Sequence, residues 1–382
     1  MKGTMPSGSA APDDKRPVLR VGLAGTGFIA DFHAAALQAI PGVELAAVCD
    51  ADLQRARRFG QAWGVSDCYE SLEEMLDRSG LETVHILLPP ALHAEAAVAC
   101  LERGRDVLVE KPMAADAGGA RRILECARRT GRRVSVNHNL RFHPAVARLF
   151  DWIRRWRLGR LHHVTIAMNL PLRQLDAGQH SVWMFRTPGH IVLEQGVHPL
   201  SLVRALAGPV QRASLLVSGE RRLRTGVSFY TSWQMGLECE GATASVSLSY
   251  KPGFMDAFVH VTGEDGAATA DLRRNLFFAS GKTRFFEPLD NLLDALRKAG
   301  QVAAGGFGNL ARYASSLLLR RPASDPFSAS IRAGVASFYE ELRAGADPLA
   351  GAREGLEVME ICERILGLLP SPEGAAVAER NR

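Results

Sequence analysis

The sequence predicts an α/β protein of two domains: a doubly wound parallel sheet at the N-terminus, then an α+β domain with a large, mostly antiparallel open sheet. The length of 382 residues favours two domains, because a single hydrophobic core usually stops growing at about 250 to 300 residues. In the first third, short apolar runs alternate with helical patterns, which is typical of a parallel sheet covered by helices. Segments of alternating apolar and polar residues follow, which is typical of antiparallel strands.

Five apolar runs near the N-terminus are predicted as strands, at 18–24, 43–49, 83–88, 106–109 and 133–136. Helical patterns lie between them, so consecutive strands are expected to run parallel. We therefore predict that one parallel sheet forms a first domain spanning residues 18–141.

The pattern changes after residue 141, where we predict a second domain spanning 142–369. It begins with a helix at 145–155, a strand at 161–169 and a helix at 197–207. Alternation between residues 211 and 271 predicts an antiparallel sheet, with segments at 226–235, 243–250 and 257–263. Helical patterns close the domain at 288–299, 310–319, 328–344 and 352–368.

Composition excludes several classes of protein. No apolar run approaches the roughly 20 residues that span a bilayer, and the N-terminus lacks the order of a secretory signal, so we expect a cytoplasmic protein without a membrane partner. The net charge is +5, but basic and acidic residues are interspersed, which argues against a nucleic-acid partner. The six cysteines are scattered, which predicts free thiols and no metal site. Residues 1–17 and 370–382 lack apolar periodicity and are predicted as disordered tails.

The first predicted strand leads directly into the G-x-G-x-x-A form of the dinucleotide fingerprint, formed by Gly25, Thr26, Gly27, Phe28, Ile29 and Ala30. Gly25 permits the tight turn, and Gly27 lets the backbone approach a pyrophosphate at the helix N-terminus. The alternative is an ordinary glycine-rich turn. The strand before the motif and the helix after it favour a Rossmann domain.

An acidic residue ends the second predicted strand at Asp50, where a carboxylate can accept hydrogen bonds from adenosine ribose hydroxyls. This favours NAD over NADP, because a carboxylate repels a ribose phosphate. Arg55 on the following helix can offset that repulsion, so NADP remains possible. The alternative for Asp50 is a plain N-cap of the next helix.

Two further segments carry a family resemblance: Leu88-Pro89-Pro90 with His93, and Glu110-Lys111-Pro112. With the fingerprint and its spacing, they resemble the glucose-fructose oxidoreductase and inositol dehydrogenase family (Gfo/Idh/MocA), over residues 18–344 and most strongly in the first 140. The resemblance implies that Leu88, Pro89, Pro90, His93, Glu110 and Lys111 bind the cofactor. It also implies a cis Lys111–Pro112 bond, and a histidine at position 33 is common in the family.

By the same resemblance, Lys111 binds the substrate hydroxyl that becomes a carbonyl. A cation held there stabilises negative charge on the oxygen as hydride departs. Only six lysines occur in the chain, which makes a chance placement less frequent. The alternative is a surface lysine beside a turn proline.

A second block, Gly189 to His198, resembles the glycine-rich run of the family that ends in Asp-x-Gly-x-His. It departs from the family at Glu194, where aspartate is usual, and at Ser201, where an acidic residue is frequent. Glu194 and His198 lie four residues apart, which places them on one side of a helical turn. We expect His198 to accept the hydroxyl proton and Glu194 to orient the imidazole or bind a neighbouring hydroxyl. A structural histidine is the alternative.

Four further residues are predicted to line the substrate site. Asn139 and Arg141 follow the last strand of the first domain, where open α/β sheets bind ligands, although they can equally satisfy the crossing between domains. Arg173 and Trp183 lie in an irregular stretch, and an aromatic with basic neighbours suits a sugar or a phosphate.

The resemblance implies an NAD-dependent oxidation of a ring hydroxyl in a polyol, sugar, cyclitol or nucleotide sugar. It leaves open keto-sugar or imine reduction, cofactor recycling, and a non-catalytic dinucleotide sensor. The second domain is expected to bind the substrate, and its sheet to mediate a homodimer or homotetramer.

Overall fold

The computed structural model describes residues 18–155, 158–282, 285–318 and 325–370. It contains one parallel sheet of six strands and one mostly antiparallel sheet of seven. Both sheets of the predicted fold class are therefore confirmed. The two predicted tails lie outside the described residues, apart from residue 370. Among the described helices, none is both long and apolar enough to cross a membrane.

The first sheet follows the chain order of a Rossmann domain. Its strands are β1 (Leu19–Ala24), β2 (Val43–Cys49), β3 (Asp67–Tyr69), β4 (Thr83–Ile86), β5 (Asp106–Val109) and β6 (Val134–Val136). The spatial order is β3-β2-β1-β4-β5-β6, so the order reverses between β1 and β4. Ligands bind outside the carboxyl ends of the strands at such a point. The strand β3 was not predicted, because three residues are too few to show the alternation of apolar and polar side chains that marks a strand.

Five helices connect these strands: α1 (Ala30–Gln38), α2 (Leu53–Trp63), α3 (Leu72–Arg78), α4 (His93–Glu102) and α5 (Ala117–Thr130). The N-cap of α2 is Asp52, whose carboxylate accepts hydrogen bonds from the backbone N–H groups of Gln54 and Arg55. Asp50 is therefore not the cap of this helix.

The second sheet is built from β7 (Leu161–Asn169), β8 (Val210–Arg222), β9 (Ser228–Cys239), β10 (Thr243–Ser249), β11 (Asp256–Gly263), β12 (Gly266–Asp271) and β13 (Leu276–Gly281). Its order is β13-β12-β11-β7-β10-β9-β8, and the β7–β10 pair is parallel. Alternate residues of β9, such as Phe229 and Trp233, are buried on one face. That face packs against α6 (Pro144–Arg154) and α8 (Val197–Ala207). A short helix, α7 (Arg173–Asp176), precedes α8.

Three helices close the described chain: α9 (Glu287–Leu318), α10 (Pro326–Ala344) and α11 (Ala352–Leu366). The prediction of two helices at 288–299 and 310–319 was wrong, because α9 is continuous through residue 318. The stretch between them contains four glycines, which lower helix propensity and suggest a break. Packing against β13 supports the helix across this stretch.

The α10 helix packs on the first sheet rather than the second. Its buried side chains Ile331, Val335, Phe338 and Tyr339 join the core formed by β1 and α1. The last part of the chain therefore helps to form the first domain, and the boundary at residue 141 remains a prediction.

Candidate active site

A cavity of about 390 Å³ lies at the carboxyl edge of the first sheet. Segments after β1, β4, β5 and β6 form one side, and the turn before α8 and the start of α10 form the other. The lining residues are Phe28, Ile29, Leu87, Leu88, Pro90, Glu110, Lys111, Asn137, Asn139, Glu194, Gln195, His198, Phe327 and Ile331. The structure thus brings Lys111, from the loop after β5, together with Glu194 and His198, from the turn before α8 and its first residues.

Lys111 and Glu194 form an ion pair at this cavity. The Lys111 Nζ lies 2.7 Å from Glu194 Oε1 and 3.0 Å from the Glu194 backbone oxygen. The other carboxylate oxygen of Glu194 accepts a hydrogen bond of 2.8 Å from Trp183 Nε1. A lysine ammonium has three N–H donors, so one remains for a ligand in the cavity. Trp183 does not line the cavity itself, but it fixes the carboxylate that holds Lys111.

The turn that carries Glu194 is a π-helix spanning Val192–Gly196, which continues into α8. Single π-turns of this kind often occur at functional sites. The side chains of Glu194 and His198 face the same cavity, as their spacing predicts. The backbone hydrogen bonds that define a π-helix join residues i and i+5. The sequence pattern alone does not reveal this geometry.

His198 has the character of a proton acceptor. Burial lowers the pKa of its imidazole well below the ordinary value, and the nearby Lys111 and His138 lower it further. Its Nδ1 atom is buried and has no hydrogen-bond partner among the described residues. At neutral pH the imidazole is therefore uncharged and able to take a proton.

His93 joins the two loops that flank the cavity. Its Nδ1 lies 2.8 Å from the Pro112 carbonyl oxygen, and its Nε2 lies 2.7 Å from that of Leu88. The Lys111–Pro112 bond is cis, as the resemblance implies. His93 is buried behind the cavity wall, so it can position the cofactor-side loops, whereas Pro89 is exposed beside them.

A buried polar chain runs from α10 to the residue before Lys111. The Tyr339 hydroxyl lies 2.9 Å from His85 Nε2 and 3.0 Å from Thr83 Oγ1. The Nδ1 atoms of His85 and His33 are 2.9 Å apart, and His33 Nε2 is 2.9 Å from Glu110 Oε1. A carboxylate only accepts, so His33 donates from Nε2.

Glu110 anchors the backbone at the reactive lysine. Its carboxylate also accepts hydrogen bonds from Asn137 Nδ2 at 2.5 Å and from the Lys111 backbone N–H at 3.2 Å. Burial raises the pKa of Glu110, but the hydrogen bond and charge of His33 and the bond from Asn137 outweigh it and hold the pKa at about 2. The carboxylate is therefore charged at neutral pH.

We expect the Tyr339→Phe variant to lose about 1 to 3 kcal/mol of unfolding free energy, because His85 Nε2 and Thr83 Oγ1 lose a buried partner. Urea denaturation measures the loss. Tyr230→Phe is the control: its hydroxyl makes none of the described hydrogen bonds, so the free energy should change by less than about 0.5 kcal/mol. Equal losses in both variants would contradict the role given to this chain.

The fingerprint forms a cradle beside the cavity. Gly25 has φ 99°, and a Cβ there would lie 2.7 Å from the Leu87 carbonyl oxygen. A Cβ at Gly27 would meet nothing within 4 Å, so the backbone is open to a ligand at the start of α1. The Asn137 Oδ1 atom is buried without a partner among the described residues. These features fit a dinucleotide, with its pyrophosphate at Gly27 and its reactive end in the cavity.

The Asp50 carboxylate forms hydrogen bonds with neighbouring residues of the protein. Its carboxylate accepts hydrogen bonds from the Thr26 N–H at 3.0 Å and hydroxyl at 2.8 Å, and from Arg55 Nε at 2.9 Å. Burial raises the pKa of Asp50, but the bonds from Arg55, Asp52 and Thr26 outweigh it and lower the pKa to about 2. Arg55 is half exposed. The carboxylate and the guanidinium thus meet where the adenosine ribose of a dinucleotide is expected.

We expect Asp50→Ala to weaken NAD binding by about 10- to 100-fold, since a hydrogen bond to a charged group contributes about 1.5 to 3 kcal/mol. NADP binding should fall less, because Arg55 becomes free for a ribose phosphate. Calorimetric titration with both nucleotides measures the two changes. Asp52→Ala, which removes the α2 cap, should leave both affinities unchanged. An equal loss for NAD and NADP would show that Asp50 does not discriminate between them.

Like Trp183, two further residues that were predicted to bind the substrate do not line the cavity. Arg141 Nη1 lies 2.6 Å from both carboxylate oxygens of Glu354 in α11, so its guanidinium is already paired. Arg173 is exposed on α7. Asn139, by contrast, lines the cavity and donates to Ser330 Oγ at 3.0 Å.

Several residues that line the cavity were not predicted from the sequence. Phe327 and Ile331 come from α10, more than 180 residues beyond the last strand of the first sheet. Their apolar spacing predicts burial but not which surface they cover. Leu87 and Gln195 are next to the predicted residues Leu88 and Glu194 in the chain. That proximity was the only sequence signal for their place in the cavity wall.

Comparison with known proteins identifies the family of the chain. The family model "Oxidoreductase family, NAD-binding Rossmann fold" matches residues 19–138, and the GFO/IDH/MocA C-terminal domain model matches residues 146–269. The chain is 28% identical to inositol 2-dehydrogenase 4 of Saccharopolyspora erythraea, over 78% of this chain and 91% of the relative. It is 27% identical to D-apiose dehydrogenase of Paraburkholderia graminis, over 68% of this chain and 70% of the relative.

A solved structure shows the same fold. The WlbA dehydrogenase of Bordetella pertussis, in complex with NADH and UDP-GlcNAcA, superposes with a TM-score of 0.72. It is 20% identical, and the match covers 93% of this chain and 99% of that one. Because the two family models match more than half of the 382 residues, the chain belongs to the Gfo/Idh/MocA family and is an NAD-dependent oxidoreductase.

Proposed function

We propose that the protein oxidises a ring hydroxyl of a sugar, cyclitol or nucleotide sugar to a ketone, or catalyses the reverse reduction. The observation that carries the proposal is the Lys111–Glu194 ion pair beside His198, in a cavity that adjoins a dinucleotide cradle. A cation, a carboxylate and a neutral imidazole are the groups that such a reaction needs.

Each residue has a defined task in this proposal. The free N–H of Lys111 donates to the substrate oxygen and stabilises the negative charge that develops there. His198 accepts the hydroxyl proton, which its lowered pKa permits at neutral pH. Glu194 holds Lys111 and offers a carboxylate oxygen to a neighbouring hydroxyl. NAD, when bound, supplies the hydride acceptor.

The proposed cofactor site follows the fingerprint and the loops after β4 and β5. Gly25, Thr26, Gly27, Phe28 and Ile29 would hold the pyrophosphate, and Asp50 with Arg55 the adenosine ribose. Leu88, Pro90 and Glu110 line the cavity where the nicotinamide would lie, and His93 supports that wall. The relatives include an inositol dehydrogenase and a D-apiose dehydrogenase, which supports a polyhydroxylated substrate for this chain. Such a substrate suits the polar side chains that line the cavity.

The test is nicotinamide reduction by the purified protein, offered NAD or NADP with free sugars, cyclitols and nucleotide sugars. We expect a signal with at least one of these classes, lost in Lys111→Ala. Turnover only with keto-sugars and reduced cofactor would assign a reductase. Silence with NAD still bound would assign a cofactor-recycling enzyme or a sensor, and silence without nucleotide binding would contradict the proposal.

A further inference from the structure

The side of the long helix α9 that faces the rest of the protein carries polar residues, which is unusual for a surface helix. Asp294, Gln301 and Asn309 point toward β13 and the turn before it, where each makes a hydrogen bond of 2.8 to 3.1 Å. A helix on a protein surface normally turns its apolar side inward. The opposite side of α9 therefore needs an explanation.

That opposite side is apolar and exposed. Phe307 is 74% exposed, Leu310 63% and Leu296 61%, and Leu292 and Tyr313 are exposed by more than half. Monomeric proteins seldom expose a contiguous apolar patch larger than a few hundred Å², and such a patch usually marks an interaction surface. We call the residues that form its centre line the α9 stripe: Leu292, Leu296, Ala299, Ala303, Phe307, Leu310 and Ala314.

The spacing of the α9 stripe is close to one helical turn. Its seven residues cover 22 positions in six steps, or about 3.7 positions a step, near the 3.6 residues of an α-helical turn. The stripe therefore runs nearly parallel to the helix axis, for about 33 Å at 1.5 Å a residue. A straight partner of similar length, such as another helix, can follow it throughout.

The spacing of the stripe residues is also the same from either end of the stripe. The steps are four, three, four, four, three and four, so the pattern is symmetric about Ala303. An antiparallel copy of the helix, related by a two-fold axis at Ala303, would place the stripe residues directly opposite one another. Two large side chains then meet small ones, because Phe307 faces Ala299 of the second copy and Leu292 faces Ala314. In the remaining pair, Leu296 faces Leu310. A parallel pair would instead place Phe307 against itself.

We propose that α9 is a dimer interface, in which two copies of the chain pair their α9 stripes antiparallel across a two-fold axis at Ala303. Such an interface is self-complementary, as closed two-fold symmetry requires. Burial of the exposed stripe side chains would remove about 600 Å² of surface on each copy from solvent. The total for two copies is then close to the roughly 1,200 Å² at the lower end of specific interfaces. The interface would be formed by a helix rather than by the strands of the second sheet, and this inference goes beyond the proposed function.

The first test is the mass of the full chain in solution, by light scattering after size exclusion, for the wild type and Leu296→Glu. We expect the mass of the assembly to halve in the variant, because a carboxylate on each copy would be buried next to apolar side chains. Leu349→Glu, at an equally exposed leucine outside α9, should leave the mass unchanged. A monomeric wild type, or an unchanged mass in Leu296→Glu, would overturn the proposal. Leu216 is an exposed leucine of β8. Dissociation in Leu216→Glu but not in Leu296→Glu would place the interface on the second sheet instead.

The second test addresses the axis. In Ala303→Cys, the two new thiols face each other across the two-fold axis, so mild oxidation should join most chains into a covalent dimer. In Ala304→Cys, an equally exposed position one residue further along, the thiols point away from the partner. Both variants retain the six native cysteines, so the difference between them reports the new thiol alone. Equal yields of covalent dimer would overturn the antiparallel arrangement.

Discussion

Replacing Lys111 with alanine is expected to lower kcat by about 10²- to 10³-fold or more, the usual cost of removing one donor that stabilises a developing oxyanion. The structure gives the reason: the Lys111 ammonium is held 2.7 Å from Glu194, with one N–H left for the substrate oxygen. NAD affinity should change much less, because the fingerprint is untouched. Steady-state kinetics and calorimetric titration of NAD measure the two quantities.

Lys282→Ala is the matched control for this prediction. Lys282 also forms an ion pair, with Asp265 at 3.2 Å, but on an exposed surface away from the cavity. Its loss should change kcat by less than about twofold, since exposed ion pairs contribute little. A Lys111→Ala enzyme with more than a tenth of the wild-type kcat would show that this lysine does not stabilise the transition state.

His198→Asn is expected to lower kcat for hydroxyl oxidation by about 10²- to 10⁴-fold, the usual contribution of a general base. The pH dependence gives a second readout. Burial and the Lys111 charge lower the pKa of His198, so the neutral, proton-accepting form persists as the pH falls below 6.5. The wild-type kcat/KM should therefore stay level from pH 7 to 6.5 and fall only in more acidic solution.

The asparagine variant should lose that acidic limb, because no imidazole remains to be protonated. His260→Asn is the control: burial also lowers the pKa of His260, but this residue lies on β11 of the second sheet. Its pH profile should match that of the wild type. An acidic limb that persists in His198→Asn would assign the titration to another group.

Local pattern predicted the parts of the site that depend on a short stretch of chain. The turn at Gly25 and the open backbone at Gly27 follow from the spacing of the fingerprint, because each glycine has a steric reason to be there. Lys111 follows a buried strand, so its place at the carboxyl edge of a parallel sheet could be inferred. The sequence also suggested that Glu194 and His198 share one side of a turn.

Partnerships between distant segments could not be predicted. Arg141 had a plausible place in the site, but the carboxylate that satisfies it, Glu354, lies 213 residues further along. The buried chain from Tyr339 to Glu110 joins α10 to the first sheet, and nothing near either residue indicates it. The continuity of α9 was missed for a related reason: its contacts with β13 outweigh the weak helix propensity of its glycines.

The most direct test of the account is to follow deuterium from the substrate. A sugar or cyclitol that supports turnover is labelled in turn at each ring carbon that bears a hydroxyl, and the mass of the NADH formed is measured. Label from one carbon alone should appear in the nicotinamide, and Lys111→Ala should slow the transfer by at least about 100-fold. Substrate consumption without label in the nicotinamide, or transfer that continues unchanged in Lys111→Ala, would contradict the account.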